Sequence, residues 1–268
     1  LTYIYEITKN EKYLKLIEEW AEYIYNDMPR TKDMGLCHAT TGCPNEGQLW
    51  IDTLFMTVLF LARAGRILNR KEYIEETKHQ FMVHIKYLYD KTTGLWFHGW
   101  SFPRNDNFGR VLWGRGNCWY TVGAVDYIEI LDMQDCAFKT YLLETLTAQA
   151  DALKEMQADN GMWHTIINDP TSYTETSATA GFCYGLLKAI RKGYLNKSYE
   201  PCAKAALKAV TEHISDDGTV TDVSYGTGVS DDPEYYKGIE KCPMTYGQAL
   251  AVLCMSEALT GGYDEKIF

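Results

Sequence analysis

The chain reads as a succession of amphipathic helices. Leu14, Ile17, Trp20, Ala21 and Ile24 recur at the spacing that gathers apolar side chains on one helical face, which predicts a helix over 11–27. Similar stripes run through 47–67, 71–89, 114–133, 137–156, 174–192, 198–214 and 244–260. Short connections rich in Gly, Asn, Asp and Pro separate them, such as Thr92-Thr93-Gly94, Asp159-Asn160-Gly161 and Asp216-Asp217-Gly218. Strands are few and short at best, so the pattern predicts an all-α protein.

The connections repeat. Gly94, Gly161 and Gly218 each follow one helix and precede the next, 67 and 57 residues apart. That is the spacing of a helical hairpin plus one longer loop. A hairpin cannot bury its own apolar face, so the hairpins must pack side by side as a solenoid or a closed ring. In a ring the longer loops gather at one end. Two of them carry Trp and His, predicting an aromatic-walled bowl with His98 and His164 at similar places in the repeat.

Composition narrows the possibilities. Of 268 residues, 46% are hydrophobic and 23% charged, enough apolar surface for a large core and incompatible with a disordered chain. Lys and Arg number 26 against 36 Asp and Glu, and the resulting net charge of −10 repels phosphate backbones, arguing against nucleic-acid binding. No apolar run approaches the ~18 residues of a membrane span. The eight Cys form no CxxC pair or zinc-type cluster. Cys183 and Cys254 sit inside apolar helical runs, as free thiols do in a reducing, cytoplasmic compartment. No phosphate-cradling loop, GxSxG elbow or HExxH pair is present.

Two segments carry candidate chemistry. Asp52 lies near the start of the 47–67 helix, between Trp50 and Leu54-Phe55-Met56. It is either a dipole-complementing residue of the first turn or an acid whose apolar surroundings raise its pKa and suit it to donate a proton. Asn45 or Glu46 is the better cap by position, which places Asp52 about a turn deeper. In Leu112-Trp-Gly-Arg-Gly-Asn-Cys-Trp119, Trp113 and Trp119 flank Arg115. Aromatic faces beside a guanidinium suit a sugar bearing a carboxylate; surface Arg–Trp packing is the alternative. His98 shares a loop with Trp100 and is preferred to His164 as a functional residue, while His79 and His84 read as structural. Asp106 is either a second acid or a turn residue. The small residues of Thr174-Glu-Thr-Ser-Ala-Thr-Ala-Gly181 suit close helix contact.

These motifs, with Gly47-Gln-Leu-Trp-Ile-Asp-Thr-Leu-Phe-Met56, Gly94-Leu-Trp-Phe-His-Gly-Trp100 and Cys242-Pro-Met-Thr-Tyr-Gly-Gln248, resemble glycoside hydrolase family 105 in order and over essentially the whole chain. The family comprises unsaturated rhamnogalacturonyl and glucuronyl hydrolases. The resemblance implies a single-domain (α/α)6 barrel over 1–268 and a substrate made by polysaccharide lyases, a small oligosaccharide ending in a C4=C5 unsaturated uronate such as occurs in pectin breakdown. It implies protonation of C4, addition of water at C5, and release of the aglycone, with neither metal nor cofactor. Asp52 matches the proton donor. Trp113, Arg115 and Trp119 match residues that hold the uronate, and His98 and His38 match pocket histidines. The family places a further acid just upstream of Leu1, so the first helices of the ring are expected to be missing from this sequence. A chondroitin-type glucuronyl hydrolase, a sugar epimerase working through a His pair, and a non-catalytic sugar-binding repeat protein are the rival readings.

Overall fold

A computed structural model describes residues 1–38 and 45–263; Cys43 lies outside them. Ten α-helices are present among the described residues: α1 (Thr2–Thr8), α2 (Glu11–Glu22), α3 (Leu59–Ile67), α4 (Lys71–Leu88), α5 (Gly114–Ile130), α6 (Ala137–Glu155), α7 (Thr176–Arg191), α8 (Glu200–Glu212), α9 (Pro233–Lys237) and α10 (Thr245–Thr260). α3 continues a π-helical turn, Leu54–Val58, that follows Asp52 and Thr53. α5 packs on α7 and α7 on α10, with α3 beside α5, while α4, α6 and α8 back them. α5 and α7 are buried almost all round, whereas α2 and α8 bury only one stripe. This is the double-layered helical wall of an (α/α) barrel. Among the described residues no helix is long and apolar enough to cross a membrane.

The repeat seen in the sequence has a physical basis. Gly94, Gly161 and Gly218 have φ of +77°, +81° and +84°, a region where side chains are strained. Two residues on, the backbone N–H of Trp96, Trp163 and Val220 donates to Asn117, Thr179 and Gln248, each the fourth residue of the next inner helix. Four residues on from each glycine, the carbonyls of His98, Thr165 and Asp222 accept from Ile51, Gly114 and Thr176 at the start of the preceding inner helix. Each turn therefore ties two successive hairpins together. It also sets the register: His98 corresponds to Thr165, and His164 to Phe97. The expected equivalence of the two histidines is off by one residue. In extended chain that places their side chains on opposite sides.

The predicted helix over 47–67 does not begin at 47. Gly47 (φ +67°) ends a turn, and β1 (Gln48–Trp50) pairs antiparallel with β2 (Gly99–Ser101), Leu49 opposite Trp100. Helical structure starts only at Asp52, so neither Asn45 nor Glu46 caps it. Three residues with one buried apolar side chain fit either periodicity, and the pairing with β2 decides.

Glycine lets the inner helices approach. A Cβ on Gly181 would lie 2.7 Å from the Cys118 Sγ, and one on Gly185 2.6 Å from the Thr121 Cγ2 and 2.9 Å from its carbonyl oxygen. The small-residue stretch of α7 thus serves close packing on α5. Gly123 has open space where a Cβ would go. Replacing glycine by alanine in a helix gains up to about 1 kcal/mol where nothing is struck. Crowding a packed core costs about 1–3 kcal/mol. Gly185→Ala should lower the urea midpoint and Gly123→Ala should hold or raise it; equal behaviour of the two variants would contradict this packing.

Candidate active site

The ladder between β1 and β2 places Asp52 against His98. Ile51 N–H donates to the His98 carbonyl at 3.1 Å, and the Trp50 and His98 rings lie 5.6 Å apart. Asp52 is 8% exposed and His98 2%. The Asp52 Oδ1 accepts from Trp119 Nε1 at 3.1 Å, and its Oδ2 stands 3.4 Å from His98 Nε2. Neither of those last two atoms has a formed hydrogen bond among the described residues. Two buried polar atoms that face each other with no further partner among the described residues make this pair the candidate for receiving a reacting group.

The inner-helix repeat supplies the rest. Asp52, Arg115 and Ser177 each follow the residue that donates the recurring backbone bond, after Ile51, Gly114 and Thr176, and Tyr246 follows Thr245, the first residue of α10. Arg115, 4% exposed, extends its fork into the 224–227 loop. Nη1 donates to the Ser224 carbonyl (3.0 Å), the Ser224 hydroxyl (2.5 Å) and Ser177 (3.3 Å), and Nη2 to the Tyr225 carbonyl and the Thr227 hydroxyl, both at 3.0 Å. Its plane lies over Trp113 at 4.7 Å and Tyr246 at 4.5 Å. Glu175, 1% exposed, caps α7 through Ser177 N and Ala178 N, accepts from Ser224 N, and stands 3.7 Å from Arg115. A buried charge needs such a partner.

The six residues singled out from the sequence fall into one cluster. Trp113 packs on His98 with ring centroids 4.1 Å apart, and Trp119 stacks on Phe55 at 4.7 Å. His38 stacks on Trp50 at 5.4 Å and meets Thr53, the neighbour of Asp52, at 3.3 Å. Trp113 and Trp119 are 2% and 3% exposed, so they buttress the polar groups more than they present free faces. Asp106 stands apart, paired with Arg104, which also holds Asp231. His164 Nδ1 donates to the Ser172 carbonyl. Glu175, Tyr246 and Tyr236 were not anticipated from the sequence. Glu175 and Tyr246 lie inside the recognised motifs, but their parts in the site arise from contacts between distant segments.

The family model described as Glycosyl Hydrolase Family 88 matches residues 1–261. The chain belongs to that family. It is 31% identical over 262 residues to the unsaturated rhamnogalacturonyl hydrolase YesR of Bacillus subtilis, covering 97% of this chain and 74% of YesR. A possible member of the GH105 family from Salmonella enterica shares 46% identity at a TM-score of 0.96, covering 97% of this chain and 69% of that one. The unsaturated glucuronyl hydrolase of Bacillus sp. GL1 shares 18% identity at a TM-score of 0.74, over 97% and 72% of the two chains, a likeness of fold. The family-88 match and the GH105 neighbours agree with the resemblance drawn from the motifs, and with the (α/α)6 fold it implied.

Of the two readings of Asp52, the raised pKa expected from its apolar surroundings is opposed in the free site of this family-88 chain. Burial, the largest influence, raises the pKa of its carboxyl group. Contact with the His98 ring and the electrostatic influence of His98, His38 and Arg115 together outweigh burial and hold it below the ordinary carboxylate value. Burial also lowers the pKa of His98 despite the neighbouring carboxylate. At neutral pH the site therefore holds a carboxylate beside a neutral imidazole. A depressed carboxyl pKa adds stability above its unfolded value of about 3.8, and that stability is lost as pH falls through the folded value. Asp52→Asn should therefore be less stable than the parent at pH 7, with the gap in urea midpoint closing below about pH 4. An Asn variant more stable at neutral pH would show that burial dominates.

Proposed function

We propose that the chain is a single (α/α)-barrel catalytic domain that hydrolyses small unsaturated uronyl oligosaccharides of the kind lyases release, with Asp52 as the proton-transfer group. The observation that carries this reading is the Asp52 carboxylate, buried, held at one oxygen by the Trp119 indole and facing His98 Nε2 at 3.4 Å with the other. A C4=C5 unsaturated uronate is an enol ether whose C4 is electron-rich. A proton from Asp52 to C4 generates an oxocarbenium centre at C5, and water adds there. The Asp52 carboxylate accepts the proton from that water, restoring the acid. The resulting hemiketal opens and expels the aglycone. Atoms and protons balance without any further reagent.

The depressed pKa of Asp52 in the free site fits this chemistry through the substrate's own charge. A uronate brought beside Asp52 adds a negative charge and offsets Arg115 and His38, so binding itself raises the Asp52 pKa towards the operating pH. Arg115 acts mainly through its charge, since the hydrogens of both Nη groups already face protein acceptors. Trp113 and Trp119 keep the site dry, which strengthens these effects. A sugar epimerase working through a His pair is not favoured, because His164 is engaged with Ser172 on the far side of its strand. The YesR relative makes an unsaturated rhamnogalacturonyl disaccharide the first substrate to offer.

Turnover should appear as loss of the conjugated enoate's ultraviolet absorbance. Asp52→Asn should lower kcat by about 10²–10⁴-fold, the range for losing a general acid–base group. An Asn variant working at full rate would exclude Asp52 as the proton donor.

A further inference from the structure

Tyr236 belongs to the short α9 inside the 224–241 loop, far in sequence from the residues it meets. Its side chain is completely buried and packs with Val111, Trp113 and Ile166. Its hydroxyl has two partners. The backbone N–H of Ser230 donates to it at 3.2 Å, and His98 Nδ1 lies 2.8 Å away. His98 in turn presents Nε2 to the Asp52 Oδ2.

We propose that Tyr236 is a positioning residue that fixes His98 in the tautomer carrying its proton on Nε2, and thereby directs the proton of Asp52 towards substrate. A neutral imidazole has one N–H and one bare nitrogen, and the partner of one nitrogen decides the state of the other. Ser230 N–H can only donate, so it occupies a lone pair of the Tyr236 oxygen. The hydroxyl hydrogen then needs an acceptor, and His98 Nδ1 is the one within reach. With the opposite tautomer the Tyr236 oxygen would face two donors and its own hydrogen none, deep in an apolar cluster. At the other end, a bare Nε2 would confront the Asp52 carboxylate, lone pair against negative charge. Both ends select the same form, and an unsatisfied buried group at either would be costly.

The consequence concerns Asp52 and rests on the function proposed above. With Trp119 N–H against Oδ1 and His98 Nε2–H against Oδ2, two donors take up the protein-facing side of the carboxylate. A proton on Asp52 is then left to point away from the protein, where a sugar carbon is presented. With a bare Nε2, the same proton would be held between Asp52 and His98. Tyr236 touches neither substrate nor Asp52. It acts through one ring nitrogen.

Nitrogen-15 NMR of protein labelled at histidine reads the tautomer directly, with the His98 signals assigned by their loss in His98→Gln. In the unaltered protein near pH 7, Nε2 should resonate as a protonated ring nitrogen and Nδ1 as a bare one accepting a hydrogen bond. A protonated Nδ1 would overturn the proposal whether or not the protein turns over any sugar, so it fails separately from the catalytic reading. In Tyr236→Phe the Nδ1 signal should lose its hydrogen-bonded position. kcat should fall about 10–100-fold, the effect of removing a partner that orients a functional histidine, with KM little changed. A variant that is merely less stable, with unchanged His98 shifts and kcat, would make Tyr236 a packing residue and refute the assignment.

Discussion

The site depends on one backbone hydrogen bond, from Ile51 N–H to the His98 carbonyl, and on the three-residue ladder it extends. It joins the start of an inner helical segment to the loop after the next outer helix, and the same bond recurs at Gly114 and Thr176 along the wall. At each recurrence it serves the fold. At the first it also brings a carboxylate and an imidazole to 3.4 Å. Function here uses a joint that the architecture already requires. The side chains that follow these joints, Asp52, Arg115 and Ser177, are joined by Tyr246 at the start of α10, whose ring lies over Arg115.

Charge in this small volume is arranged in two tiers. Glu175 and the 224–227 loop engage Arg115, and Asp52 feels both contact with the His98 ring and the positive field of Arg115. Burial alone would raise the Asp52 pKa; contact with His98 and the nearby Arg115 charge reverse that in the free protein. The reversal has a mechanistic use. Under the proposed function, a carboxylate that stays ionised until an anionic sugar arrives would be idle towards anything lacking that charge, so specificity and proton transfer would draw on the same electrostatic balance. The overall charge of −10 does not enter, because the groups that matter are local and screened from solvent by indoles.

The helical stripes and the Gly94, Gly161 and Gly218 turns were legible because period and left-handed backbone are local properties of the chain. The clustered side chains were named from the Trp-Ile-Asp and Trp-Gly-Arg-Gly-Asn motifs and the family resemblance, His38 from the resemblance alone; their shared joint appears only in the fold. The β1 strand was not legible, because three residues with Leu49 buried between two half-buried neighbours carry no decisive period. Nor was the direction of the Asp52 pKa, which follows from His98 and Arg115, residues brought in from other hairpins. Tyr236 was invisible for the same reason: its partner His98 lies 138 residues away, and a Tyr in a short loop helix has no local mark of burial.

The central claim is that Asp52 is ionised in the empty site and gains its proton affinity from the bound uronate. Carbon-13 NMR titration of the Asp52 carboxyl, with and without a saturated uronide that binds and cannot react, tests this most directly. A pKa below the ordinary aspartate value in the free protein, moving upward when the uronide is present, is the result predicted. A pKa already raised in the free protein, or one that the uronide leaves unmoved, would contradict the account.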